Sequence, residues 1–111
     1  MSVSETGYDP LEVEKVIDDA YRFAEDNAEY QEPLEEAIEM VESMPYSVNE
    51  DGTYTEDHMV ETIEGLNELD NLQRQMTRDG NVELADEVRG LEDYLENHVL
   101  RPVRENGKLQ N

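Results

Sequence analysis

Apolar residues recur every three or four positions through most of the chain, and this spacing restricts the fold to packed helices. The stripes are Val13, Val16, Ile17, Ala20, Ala24 and Ala28; Leu34, Ala37, Ile38 and Val41; Met59, Ile63, Leu66, Leu69, Leu72 and Met76; and Leu84, Val88, Leu91, Leu95 and Val99. A period near 3.6 is typical of amphipathic helices. The spacing therefore predicts an all-α fold, a small bundle of about four helices at roughly 10–30, 33–44, 56–78 and 82–100.

Local signals predict where these helices begin and end. Asp9 followed by Pro10 favours a capped start, Thr55 is a second candidate cap, and Pro33 suits the first turn of the second helix. Pro45 is expected to stop the second helix, and Pro102 the last. We thus expect three parts: a polar lead at 1–8, one helical domain at 9–101 and a flexible tail at 102–111.

The segment 45–55 interrupts the helical pattern. Its Asp51-Gly52 pair is a turn signal, so we expect a small hairpin or an irregular loop. Asn49, Asp51 and Gly52 also match inner positions of a calcium-binding EF-hand loop. Ser47 and His58 stand where that loop requires acidic ligands, which favours a turn followed by a helix cap over a calcium site.

The net charge of the chain restricts its possible functions more than any sequence motif does. The chain has 30 acidic and 8 basic residues, a formal net charge of −22. A surface this negative repels phosphate, so we expect no direct binding to nucleic acid and instead a basic protein partner. No apolar run is long enough for a membrane span, and we expect a cytoplasmic protein without membrane contact.

The acids are densest near the start of the chain. Residues 9–42 hold thirteen acids and two bases, about one net charge per 3 Å if two helices lie side by side, against about 1.7 Å for duplex DNA. The partner-binding acids are predicted to be Asp18, Asp19, Glu25, Asp26, Glu29, Glu32, Glu35, Glu36, Glu39 and Glu42. Tyr21 and Tyr30 are predicted aromatic anchors, with the alternative that the tyrosines fill the edge of the core.

Signatures of catalysis are missing from the sequence. The chain has no cysteine, no glycine-rich phosphate loop and no nucleophile motif, and its two histidines, His58 and His98, have no metal-ligand spacing. We therefore expect neither an enzyme nor a bound cofactor or metal.

Two stretches of the acidic region carry a family resemblance. DDAYRFAEDNAEY, residues 18–30, has the pattern D-x-A-Y-x5-N-x2-Y, and PLEEAIEM, residues 33–40, has L-x-x-A-I-x-M. Both are similar to stretches of the phage antirestriction proteins of the Ocr type, which are acidic and all-helical. The resemblance implies a homodimeric DNA mimic that occupies the DNA-binding channel of a restriction–modification enzyme. It also implies that Asp18, Asp19, Glu29 and Glu35 take the place of phosphates.

Two functions of different classes follow from the sequence. The first is an acidic helical inhibitor, encoded by a phage or mobile element, that occupies the basic groove of a host DNA-binding enzyme. The second is a structural or adaptor domain of a salt-adapted organism, whose acids serve hydration; the scarcity of lysine, limited to Lys15 and Lys108, suits this alternative. A chaperone that shields a basic partner is a third option.

Overall fold

The computed structural model describes residues 10–48, 53–106 and 108–110, which are predominantly helical. The elements, in chain order, are α1 (Pro10–Asp26), a 3-10 turn (Ala28–Tyr30), α2 (Gln31–Val41), α3 (Ser43–Tyr46), β1 (Thr53–Thr55), α4 (Glu56–Arg78), α5 (Val82–Leu95), a π turn (Glu96–Leu100), α6 (Arg101–Asn106) and β2 (Lys108–Gln110). The predicted lead at 1–8, the cap at Asp9 and the Asn49–Gly52 part of the loop lie outside the described residues.

The long helices form a closed ring around one core. Helix α2 packs against both α1 and α4, α4 packs against α5, and α5 with the π turn packs back against α1. The apolar stripes meet in the middle, where Ile17, Leu34, Leu69, Met76 and Leu95 are fully buried. The predicted all-α bundle is confirmed.

Helix α1 ends earlier than predicted. The Asn27 side-chain amide donates to the carbonyl oxygen of Phe23 over 2.8 Å, which satisfies one of the carbonyls that a helix end leaves without a partner. The chain then turns through the 3-10 residues before α2 begins at Gln31. This turn leaves Ala28 exposed, so its predicted place in the buried stripe is wrong.

A buried threonine sets the end of α2. The Thr62 hydroxyl of α4 donates to the carbonyl oxygen of Val41 and accepts from the backbone N–H of Met44, both over 3.0 Å. These bonds replace backbone partners where α2 gives way to α3. The prediction that Pro45 stops the second helix is wrong, because α2 ends before it and Pro45 lies inside α3.

A glycine allows α4 to approach α2 closely at the same seam. A Cβ atom on Gly65 would lie 2.7 Å from the carbonyl oxygen of Ala37 and 2.8 Å from Val41. Real side chains do not pack at such distances. Only glycine therefore fits this crossing.

Both ends of α4 match the sequence prediction. The Thr55 hydroxyl accepts from the backbone N–H of His58 over 3.4 Å and caps the N-terminus. At the C-terminus Gly80 has φ of +90°, and the N–H of Asn81 bonds back to Met76 over 2.8 Å. The helix accordingly spans Glu56–Arg78, as predicted.

The chain remains helical through Pro102, so the predicted helix end there is wrong. A π turn at Glu96–Leu100 precedes this proline, which is the second residue of α6 and so lies in a first turn, where helices tolerate proline. Val103 in α6 is 1% exposed and belongs to the core. Beyond it, β2 pairs in parallel with β1, residue 108 opposite 53.

Candidate acidic interface

One row of side chains on α1 faces the α2 side of the bundle. Glu14, Asp18, Tyr21 and Glu25 are spaced by four, three and four residues, which places them above one another along the helix. Glu14, Asp18 and Glu25 are exposed, and Tyr21 is half-buried. The apolar stripe of α1 points into the core and leaves this row at the helix margin.

A second row meets the first at Tyr21. It consists of Glu35 and Glu39 on α2 and of Glu42 at the C-terminal end of that helix. The Tyr21 hydroxyl donates to Glu42 Oε1 over 3.1 Å. Burial raises the pKa of Tyr21 strongly, and the negative charges of Glu42, Glu39 and Glu35 raise it further. Glu42 therefore contacts this hydroxyl directly, Glu39 and Glu35 act on it through their charge, and α2 packs alongside α1.

Glu42 lies at the junction of the two rows. Burial raises its pKa above the ordinary value, the hydrogen bond from Tyr21 opposes this rise, and the charges of Glu39 and Asp18 add to it. Asp18 belongs to α1 and Glu39 to α2, so acids of both helices act on one carboxyl group.

Tyr46 of α3 extends the surface beyond the end of α2. It is 53% exposed, and its pKa is raised by partial burial and then by the charges of Glu42, Asp18 and Glu14. The sequence prediction omitted Tyr46 and Glu14 from the site, although the spacing of Glu14 to Asp18 and Tyr21 indicated its place. We name the surface the acidic face and define it as Glu14, Asp18, Tyr21, Glu25, Glu35, Glu39, Glu42 and Tyr46.

The remaining predicted acids lie outside the acidic face. Asp19 and Asp26 point towards α5, where both line a groove with Tyr94. Glu29 is exposed in the 3-10 turn, and Glu32 and Glu36 are exposed on α2. The structure thus divides the predicted acids of α1 between two sides of the helix.

Tyr30 is a core residue in this structure. It is 6% exposed, and its hydroxyl donates to Asp79 Oδ2 over 3.1 Å and accepts from the Asn81 side chain over 3.0 Å. Its ring is therefore not presented on the surface as the predicted anchor. It matches the alternative, that tyrosines fill the edge of the core.

No ion pair within the described parts of the chain involves a carboxylate of the acidic face. The ion pairs there join Asp70 to Arg74, Glu12 to His98 and Glu105 to Arg101, at 3.3 to 3.8 Å. None of these residues belongs to the acidic face. Arg74, Arg78 and Arg89 instead gather around a polar groove between α4 and α5, across the bundle from α1 and α2.

Exposed acids are also present on the other long helices. Those of α4 and α5 include Glu56, Asp57, Glu61, Glu64, Glu68, Glu83, Asp86, Glu87 and Asp93. The acidic face is thus the part of a broadly negative surface where carboxylates of two helices converge around tyrosines.

The described residues hold no cluster of histidine and acidic side chains suited to a metal ion. None of the helices in these ranges is long and apolar enough to cross a bilayer. The His58 ring forms a local hydrogen bond, with its Nδ1 atom 2.6 Å from the Thr55 hydroxyl oxygen.

Searches against family models, curated proteins and solved structures found no match to this chain.

Proposed function

We propose that this protein is an acidic interaction protein that occupies the basic, nucleic-acid-binding groove of a DNA-binding or DNA-processing enzyme. The observation that carries the proposal is the meeting of two carboxylate rows around Tyr21 and Glu42, with no basic residue of the described chain paired to them. A basic protein surface would supply the missing positive charge.

The charge density of this region is close to that of a nucleic acid. Residues 10–42 carry twelve acids and two bases, a net charge of −10. Helix α1 has 17 residues and is about 26 Å long at about 1.5 Å per residue. With α2 beside it, the pair presents one net charge per roughly 2.6 Å, against about 1.7 Å for duplex DNA.

The tyrosines add a second kind of contact. Tyr21 and Tyr46 lie among the carboxylates, and an aromatic ring with a hydroxyl group contributes apolar contact area without leaving a polar group unpaired. Charge would govern the rate and salt dependence of association, and the rings would slow dissociation.

The experiment compares two variants with equal loss of charge. One, E14Q/D18N/E25Q/E39Q, removes four exposed carboxylates of the acidic face; the control, E61Q/E64Q/E68Q/E83Q, removes four from α4 and α5. Each protein is immobilised, exposed to heparin-binding proteins of a host lysate, and eluted with duplex DNA. Captured enzymes are then assayed for inhibition of their action on DNA.

We expect the wild type and the control to capture and inhibit a DNA-binding enzyme that duplex DNA displaces, and the acidic-face variant to lose it. Equal loss of enzyme capture in both variants would show that the interaction depends on net charge and not on the acidic face. If duplex DNA displaces nothing from the wild type, the proposal fails.

The exposed acids of α4 and α5 favour a second candidate, hydration of a structural domain in concentrated salt. Far-UV circular dichroism from about 20 mM to about 3 M salt separates the two, because the Debye length falls to about 3 Å at 1 M. A chain that gains helix only at high salt uses its acids for hydration. A chain already helical at low salt fits the interaction protein.

A further inference from the structure

An open groove lies between α1 and α5, on the other side of α1 from the acidic face. Its walls include Phe23 and Tyr94, its rim carries Asp19, Asp26 and Glu87, and Gly90 lies on α5 between them. The groove is shallow and largely open to solvent, with a volume of about 780 Å³.

The walls of this α1–α5 groove are aromatic. Phe23 and Tyr94 are half-buried and pack against the core, so their positions are fixed while part of each ring borders the groove. The ring of His98 lies beside Tyr94, with centroids 4.8 Å apart. Aromatic faces attract cations that have been partly stripped of water.

The rim of the groove is acidic. The pKa of Tyr94 is raised by burial and then by the charge of Asp19, a hydrogen bond to Asp19 and the charge of Glu12. Asp26 and Glu87 take part in no ion pair within the described residues. A group entering between the rings would therefore meet negative charge from both helices.

Gly90 faces the open space of the groove. It lies inside a helix, where glycine is less favourable than alanine, yet a Cβ atom there would meet nothing within 4 Å. Gly80, in contrast, has the positive φ that favours glycine. Neither packing nor backbone conformation therefore requires glycine at position 90, which lies at the groove with open space in front of it.

We propose that the α1–α5 groove binds the side chain of an arginine presented by a basic protein partner. A guanidinium group is planar, stacks on aromatic rings and donates hydrogen bonds to carboxylates at its edge, whereas an ammonium group is compact and more strongly hydrated. The inference rests on the proposed function, because it names a specific contact for the same basic partner. The acidic face attracts the partner, and the groove distinguishes arginine from lysine.

The test uses an oligo-arginine peptide and an oligo-lysine peptide of equal length, titrated into the full chain at low salt. Binding is measured by fluorescence anisotropy, and the aromatic resonances of Phe23 and Tyr94 are followed by NMR. Gly90→Leu adds a side chain at the groove, at a position where a Cβ atom meets nothing within 4 Å, and leucine favours the helix. Asn71→Leu, at an exposed and neutral position of α4, is the matched control.

We expect Gly90→Leu to weaken oligo-arginine binding roughly fivefold, with oligo-lysine binding unchanged and Asn71→Leu without effect. In the wild type, only oligo-arginine should shift the Phe23 and Tyr94 resonances. If both peptides bind the wild type and Gly90→Leu equally well, the groove is not the site, and the proposed function stands. If neither peptide binds the wild type, the arginine site is ruled out, and displacement by duplex DNA still decides the proposed function.

Discussion

Helix α4 crosses α2 so closely that Gly65 has no room for a single added carbon, whereas α5 stands off from α1 and leaves Gly90 facing open space. The first seam is closed by backbone contact and by Thr62, which bonds to both α2 and α3. The second is lined by rings and carboxylates. The two glycines thus lie in opposite surroundings. An added Cβ atom would overlap α2 at Gly65, whereas it would meet no atom at Gly90.

The same substitution at the two glycines tests this difference most strongly. We expect Gly65→Ala to lower the free energy of unfolding by about 3 kcal/mol, because the new methyl group would overlap the Ala37 carbonyl oxygen and α4 must move away from α2. Urea denaturation followed by circular dichroism measures the change. Gly90→Ala is the matched control, and an unchanged midpoint for Gly65→Ala would contradict the close crossing.

The hydrogen bonds of the closed seam come second in size. Thr62→Val keeps the shape of the side chain but leaves the buried N–H of Met44 without its acceptor, so we expect a loss of about 2 kcal/mol in unfolding free energy. The exposed Thr77 on the same helix provides the control, Thr77→Val, with an expected change near zero. Equal effects at the two positions would show that the buried bonds contribute nothing specific.

The open seam predicts a gain. Gly90→Ala adds a methyl group that meets no neighbour, so the lower backbone entropy of the unfolded chain should raise the unfolding free energy by about 0.5–1 kcal/mol. Thermal unfolding measures this as a higher midpoint. A lower midpoint would mean that Gly90 is required by the fold and would remove the reason to assign it to the groove.

The smallest effect is expected on the acidic face. Because burial and nearby charges raise the pKa of Glu42, the folded state binds its proton more readily than the unfolded state does. The contribution of Glu42 to the free energy of unfolding therefore falls as the pH rises from the pKa of the unfolded state past the pKa of the folded state. It recovers on acidification. We expect Glu42→Gln to raise the unfolding free energy by about 0.3 kcal/mol at neutral pH.

Unfolding measured from neutral pH to about pH 5 tests the sign, since acidification should stabilise the wild type more than Glu42→Gln. The control is Glu36→Gln, an exposed residue of α2 outside the acidic face. If the wild type loses more stability than Glu42→Gln on acidification, charge repulsion at Glu42 does not destabilise the folded state.

The closed and open seams also show what could be predicted from sequence. Helix α4 was predicted with its correct ends, because Thr55 and Gly80 act on backbone groups a few residues away. The end of α2 depends on Thr62, which is 21 residues beyond Val41 and 18 beyond Met44, and no local pattern contains that contact. The predicted end at Pro102 is wrong because this proline lies in the first turn of α6, directly after the π turn, and no local pattern indicates that turn.

The acidic face could be predicted in part for the same reason. Helical spacing alone predicts the rows on α1 and α2. Glu14 could have been included in the predicted site because it lies four residues before Asp18. Which side of α1 faces α2 and which faces α5 depends on packing, so the sequence did not separate Asp18 from Asp19. It also could not distinguish the buried Tyr30 from the exposed Tyr46.

The acidic face and the groove that holds Arg74, Arg78 and Arg89 lie on opposite sides of the bundle, yet both sides are negative. Residues 10–42 have a net charge of −10, and residues 56–95 carry twelve acids and three bases, a net charge of −9. A positively charged surface therefore attracts the molecule whichever side approaches first, so long-range attraction speeds the encounter without fixing its orientation. Added salt screens this attraction over distances longer than about 10 Å at 0.1 M.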